Sequence, residues 1–160
     1  MGRLLELTAD DKARTQLFED LLTLRRHLVR GVLEKLSVSL ETADLEAVEN
    51  AFDAFETCAE TSDELDELVR LDLDVIDSIL AATQSPIFRI CMNPIMATIS
   101  QWGELKTAMY RNPQAQVAGY RMLRYWLQHP DAKAIDTLLV QLQRRDEATV
   151  RHLERPRTIA

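Results

Sequence analysis

Apolar side chains recur at three- and four-residue spacing in six successive stretches of this chain, and no stretch alternates as a half-buried strand would. That spacing places one stripe of each stretch on a single helical face, which must be buried against another element. The first stretch runs from about Asp11 to Leu36, with Phe18, Leu21, Leu22, Leu28, Val29, Val32 and Leu36 on its stripe. A lead-in over residues 1–10 carries Leu4, Leu5 and Leu7, enough for one helical turn.

After the loop Ser37–Glu41, Thr42 is placed to cap a second helix with Leu45, Val48, Phe52, Phe55 and Ala59 on one face. A third begins near Ser62, with Glu64 and Asp66 favouring the positive helix end, and carries Leu65, Leu68, Val69, Val75, Ile76, Ile79 and Leu80. Pro86 opens a fourth, because only an N–H without an intrahelical partner is lost there. Phe88, Cys91, Ile95, Ile99, Trp102 and Met109 continue it, and Pro94 is expected to kink or break it. Asn112-Pro113 starts a fifth through Tyr120 to Leu127. After His129-Pro130-Asp131, a sixth carries Ile135, Leu138, Leu139, Leu142, Val150 and Leu153.

Short connections between such helices make antiparallel neighbours. With only 4 Gly and 5 Pro, the chain has few turn signals for a β-rich alternative. Hydrophobic residues at 46% and charged residues at 28% are the balance of a folded domain. The expectation is an all-α, antiparallel bundle forming one domain over residues 1–160.

The net charge of −7 opposes nucleic-acid binding by this chain itself, since phosphate contacts need a positive surface. Cys58 and Cys91 lie inside helical patterns without CxxC spacing, which points to neither a disulfide framework nor a zinc site and fits a reducing compartment. The first residues lack the apolar run of a signal peptide, and no stretch is long enough to span a bilayer. A cytoplasmic protein with no membrane partner is expected.

Enzyme signatures are absent: no GxSxG, no glycine-rich phosphate loop, no HExxH and no paired ExxH of a di-iron bundle. His27, His129 and His152 have no helical i,i+4 partner with which to grip a metal, and read as surface residues. The run Asp72, Asp74, Asp77 resembles a metal site loosely, with Asp74 and Asp77 on a solvated face. The chain is therefore read as a binding protein, not an enzyme.

Two charges fall inside apolar stripes. Arg25 lies among Leu21, Leu22, Leu28 and Val29, and Asp72 among Leu68, Val69, Val75 and Ile76. An unpaired buried charge costs several kcal/mol, so charges in such positions are usually paired. Either Arg25 and Asp72 form a structural salt bridge or sit at helix edges, or they line an internal pocket where Arg25 donates to an anionic ligand. Trp102, Tyr110, Tyr120, Tyr125 and Trp126 crowd the second half, as core and dimer packing or as a pocket wall for an apolar tail. Arg145 and Asp146 interrupt the last stripe between Leu142 and Val150, and read as the point where that helix leaves the core.

Leu21-Leu22-Thr23-Leu24-Arg25, then Leu71-Asp72 followed by Ala81-Ala82-Thr83-Gln84-Ser85-Pro86-Ile87, Ile90-Cys91-Met92-Asn93 and Tyr110-Arg111-Asn112-Pro113, resemble the C-terminal effector domain of the FadR branch of GntR-type bacterial regulators. The resemblance implies six or seven antiparallel helices around a central cavity, and a homodimer. Many members hold a divalent metal there through an Asp and three His. Asp72 matches the Asp, but the position four residues on is Ile76, and the later ones fall near Ala118 or Arg121 and near Val140 or Gln141. None is His, so the resemblance implies no metal cofactor, as in the fatty-acid-responsive members, which sense long-chain acyl-CoA. Arg25 matches an arginine that faces the family's cavity.

By this resemblance the expected function is ligand sensing and dimerisation in a transcription regulator. The effector would be an acyl-CoA, fatty acid or other organic acid, bound near Arg25, Asp72, Ile76, Asn93, Trp102, Tyr120 and Arg121. DNA would be contacted only through an N-terminal winged-helix domain that this chain lacks. A ligand-free helical dimerisation domain and a metal-bound organic-acid sensor are the alternatives.

Overall fold

Seven α-helices and one 3-10 turn make up the computed structural model, which describes residues 11–154, and no strand occurs among them. They are α1 (Asp11–Val38), α2 (Thr42–Thr61), α3 (Leu65–Ala82), α4 (Pro86–Gln101), α5 (Gly103–Met109), α6 (Pro113–Gln128), the turn Ala132–Ala134, and α7 (Ile135–Leu153). The fold is an all-α bundle. The lead-in turn expected over Leu4, Leu5 and Leu7 lies outside the described residues.

The stripes become the core. Phe18, Leu22, Val32, Leu33 and Leu36 of α1 are buried together with Val48, Phe52 and Phe55 of α2 and Leu68, Val69, Val75 and Leu80 of α3. Each such side chain contributes about 1.5–3 kcal/mol by leaving water. Helix α1 packs on α7 and α4, and α2 on α3 and α6. No helix among the described residues is long and apolar enough to cross a membrane.

Three local expectations change. Thr42 is the first residue of α2, and Glu41 is its cap, with no side-chain hydrogen bond. Before α3, the Glu64 N–H donates to Ser62 Oγ at 3.1 Å, so Ser62 shapes the turn and the helix begins three residues later. Pro94 does not break α4. A proline removes the bond to the carbonyl of the fourth residue back, here Ile90. Ile90, Asn93 and Pro94 are all exposed, so the proline lies on a face of α4 open to solvent and the helix runs on.

The break comes instead at Trp102, whose backbone is extended (φ −84°, ψ 101°) and whose carbonyl accepts from the Lys106 N–H to start α5. Phe18 meets the Trp102 ring edge-on at 4.5 Å and holds the corner. The apolar register of α4 also differs from the expected one. Met92, Ile95, Met96 and Ile99 face inward, which turns Cys91 to the surface.

Candidate functional site

A cavity of about 160 Å³ lies inside the bundle, walled by α1, α3, α4, α6 and α7. Most of its wall is aliphatic or methionine: Val29 and Leu33 from α1, Ile76 and Ile79 from α3, Met92 and Met96 from α4, and Leu138 and Leu142 from α7. Its polar lining is Arg25, Asp72, Gln116, Tyr120, Gln141 and Arg145. Met122, 38% exposed, also lines it and marks the side nearest solvent.

Asp72 is 3% exposed and is held by two phenols. The Tyr110 hydroxyl donates to its Oδ2 at 2.6 Å, and the Tyr120 hydroxyl donates to its Oδ1. Burial first, and then the Asp72 carboxylate, push both phenols well above the usual tyrosine range. Both therefore remain hydrogen-bond donors throughout the neutral range. Phe52 stacks on Tyr120 with ring centres 5.1 Å apart and Phe55 meets it edge-on at 5.3 Å, so the phenol cannot swing away without opening the core.

Arg25 does not pair with Asp72. Its Nη2 donates to Asp146 Oδ1 at 2.5 Å, and Arg26 Nη1 donates to the other carboxylate oxygen at 2.6 Å. Asp146 is 4% exposed, so α7 does not leave the core at this point as its sequence implied. The charged pair interrupts the apolar stripe because α1 presents two arginines to it there. A buried carboxylate shared by two guanidiniums is satisfied on both oxygens, which is the condition under which such a charge can be kept.

Arg145, the neighbour of Asp146, is different. It lines the cavity, and its guanidinium makes no hydrogen bond or ion pair among the described residues. It lies over the backbone of α6 at Gly119, where an added Cβ would come 2.7 Å from its Nη1. Glycine weakens a helix interior, so its place here is explained by this close approach. Arg25 and Arg145 are the cations and Asp72 the carboxylate that line the cavity, and Arg25 is paired with Asp146.

Of the residues expected at the site, Arg25, Asp72, Ile76 and Tyr120 are brought together in one wall. Asn93, Trp102 and Arg121 are not. Asn93 is on the exposed face of α4 because the register places Met92 and Met96 inward. Trp102 packs on Phe18 at the α4–α5 corner. Arg121 is exposed and its Nε donates to Glu56 at 3.0 Å, across the outer face of α2 and α6. Tyr125 is 75% exposed, whereas Trp126 is buried and its Nε1 donates to the Asp131 carbonyl at 2.9 Å.

Gln116, Gly119 and Arg145 were missed as site residues. A glycine within a helical stretch, one turn after a glutamine and just before Tyr120, was the available signal. Among the described residues, no group of three His, Cys, Asp or Glu is placed to hold a metal ion. Asp74 pairs with Arg70 and Asp77 with Arg89 at the surface. Comparisons with protein-family models, with curated proteins and with solved structures found no match.

Proposed function

We propose that this chain is the ligand-sensing and dimerisation domain of a transcription regulator of the kind its sequence resembles, and that its effector is a small organic anion with an apolar body. The observation that carries the reading is the aliphatic cavity with the Arg145 guanidinium, unpaired among the described residues, in its wall. Ligand sites are typically apolar with a few placed polar groups, and a planar guanidinium suits a carboxylate.

Volume favours a small effector. A cavity of about 160 Å³ is comparable with one that accepts a benzene-sized guest. A short-chain acid fits that space, whereas an acyl-CoA would have to leave its nucleotide outside. Binding would draw Arg145 of α7, Gln116 of α6 and the α3 wall toward one arrangement, and differential affinity for that arrangement is what would reach an attached DNA-binding domain. A second copy of the chain is the proposed protein partner, and DNA would be contacted through a separate domain.

The test is isothermal titration calorimetry with hexanoate and octanoate, on the wild-type chain and on Arg145→Met. Binding by the wild type that weakens about tenfold or more in the variant is expected, which is a loss of about 1.4 kcal/mol. No heat with either acid, and no rise in melting temperature, would count against the reading. The ligand-free dimerisation platform has one observation in its favour: the Arg25 Nη2 is bonded to Asp146, as in a structural ion pair.

A further inference from the structure

Gln116 is 2% exposed and its Oε1 is buried without a hydrogen-bond donor. Arg25 is 8% exposed, and its Nε is buried without an acceptor although its Nη2 is engaged. Both residues line the cavity. Nearly all buried polar atoms in folded proteins have a partner, so an orphaned acceptor and an orphaned donor on residues that line one cavity require an explanation. No polar side chain of the described residues meets either atom.

The two orphans are of opposite kind. A hydroxyl group is both a donor and an acceptor, so it can complete either of them, and toward the Gln116 oxygen it acts as the donor. Its place relative to an acid head follows from α6. Gln116 and Gly119 are three residues apart, neighbours on one helical face at about 5–6 Å between Cβ positions. The Arg145 guanidinium lies over Gly119. A ligand carboxylate on Arg145 therefore sits within one helical turn of the Gln116 amide, a gap that two or three bonds of a small molecule span.

We infer that the effector is a short-chain hydroxy acid, its carboxylate on Arg145 and its hydroxyl, one or two carbons from the carboxylate carbon, donating to Gln116. This rests on the anion-binding reading above and adds to it the class of acid. The aliphatic wall of Ile76, Ile79, Met92 and Leu138 takes the alkyl end. A plain fatty acid would leave the Gln116 oxygen dry and unpaired, and sites built to bond a hydroxyl discriminate strongly against the analogue without it.

Calorimetry on the full chain with 2-hydroxyhexanoate, 3-hydroxyhexanoate and hexanoate tests this, with wild type and Gln116→Met. The expected result is that one hydroxy acid binds the wild type about tenfold or more tightly than hexanoate, and that Gln116→Met removes the difference. The wild-type comparison needs no variant, so a poorly folding Gln116→Met does not decide the matter. Equal affinity for hexanoate and both hydroxy acids would overturn this inference and leave the anion-binding reading intact. A preference that persists in a folded Gln116→Met would overturn the role of Gln116. Absence of binding by all three acids up to about 1 mM would overturn the inference together with the reading beneath it.

Discussion

Asp146 and Asp72 are two buried carboxylates with different neighbours, and the difference predicts what each substitution does. Asp146 is shared by Arg25 and Arg26, so Asp146→Ala strands the Arg25 guanidinium at 8% exposure. Breaking a buried pair from one side typically costs about 3–5 kcal/mol, and urea unfolding should show a loss of that order. Asp72 is held by neutral phenols, so Tyr120→Phe removes one hydrogen bond and leaves Oδ1 dry, at a cost of about 1–3 kcal/mol by the same measurement. The phenols also set an alkaline limit. Their folded pKa values lie above the ordinary value of 10.0, so above that pH the unfolded chain releases protons the folded chain keeps. Their contribution is complete below pH 10 and declines as pH rises further. Phenolate absorbance from Tyr110 and Tyr120 should therefore appear together with loss of helical circular dichroism, not before it.

At the scale of the element, Gly119 and Pro94 are two residues unsuited to a helix interior, and they should respond to alanine differently. Pro94 lies on the exposed face of α4 and packs nothing the core needs, so Pro94→Ala restores a backbone hydrogen bond. A stabilisation of about 1–3 kcal/mol, read as a higher melting temperature, is expected from the known penalty of an interior proline. Gly119→Ala also gains helix propensity, by up to about 1 kcal/mol. Its new Cβ, however, meets the flexible end of Arg145, which must move. The expected outcome is a fold at least as stable as the wild type whose affinity for the acid probe falls. Unchanged affinity would show that the position of Arg145 over α6 does not matter for binding.

Across the whole molecule, five helices contribute to one cavity, and no single helix contains the site. The guanidinium is on α7, the amide and the glycine that admits the guanidinium are on α6, the anchored carboxylate is on α3, and the alkyl wall is shared by α1, α3, α4 and α7. A ligand touching all of them stabilises the folded bundle in proportion to its occupancy, by about 2.7 kcal/mol at a hundredfold excess over Kd. That linkage makes melting temperature a direct readout of whether a given acid binds. Sedimentation at micromolar concentration, with and without the best acid, checks the proposed homodimer and whether the effector changes it.

Much of the bundle was legible in local pattern. Three- and four-residue spacing depends only on helix geometry, so the stripes of α1, α2, α3 and α7 follow from the chain alone, as does the start of α4 at Pro86 and of α6 at Pro113. That Arg25 and Asp72 fall inside apolar stripes was legible too, with burial and a helix-edge position both open, and both are buried. Their partners were not. Arg25 finds Asp146, 121 residues away, and Asp72 finds Tyr110 and Tyr120, because the packing of α1 on α7 and of α3 near α6 decides which charges meet. The same holds for Pro94, tolerated because its face of α4 meets water, and for Arg145, adjacent in sequence to a paired carboxylate yet without an ion pair among the described residues, over Gly119. Periodicity determines which face of a helix is buried, and only the tertiary arrangement determines what that face is buried against.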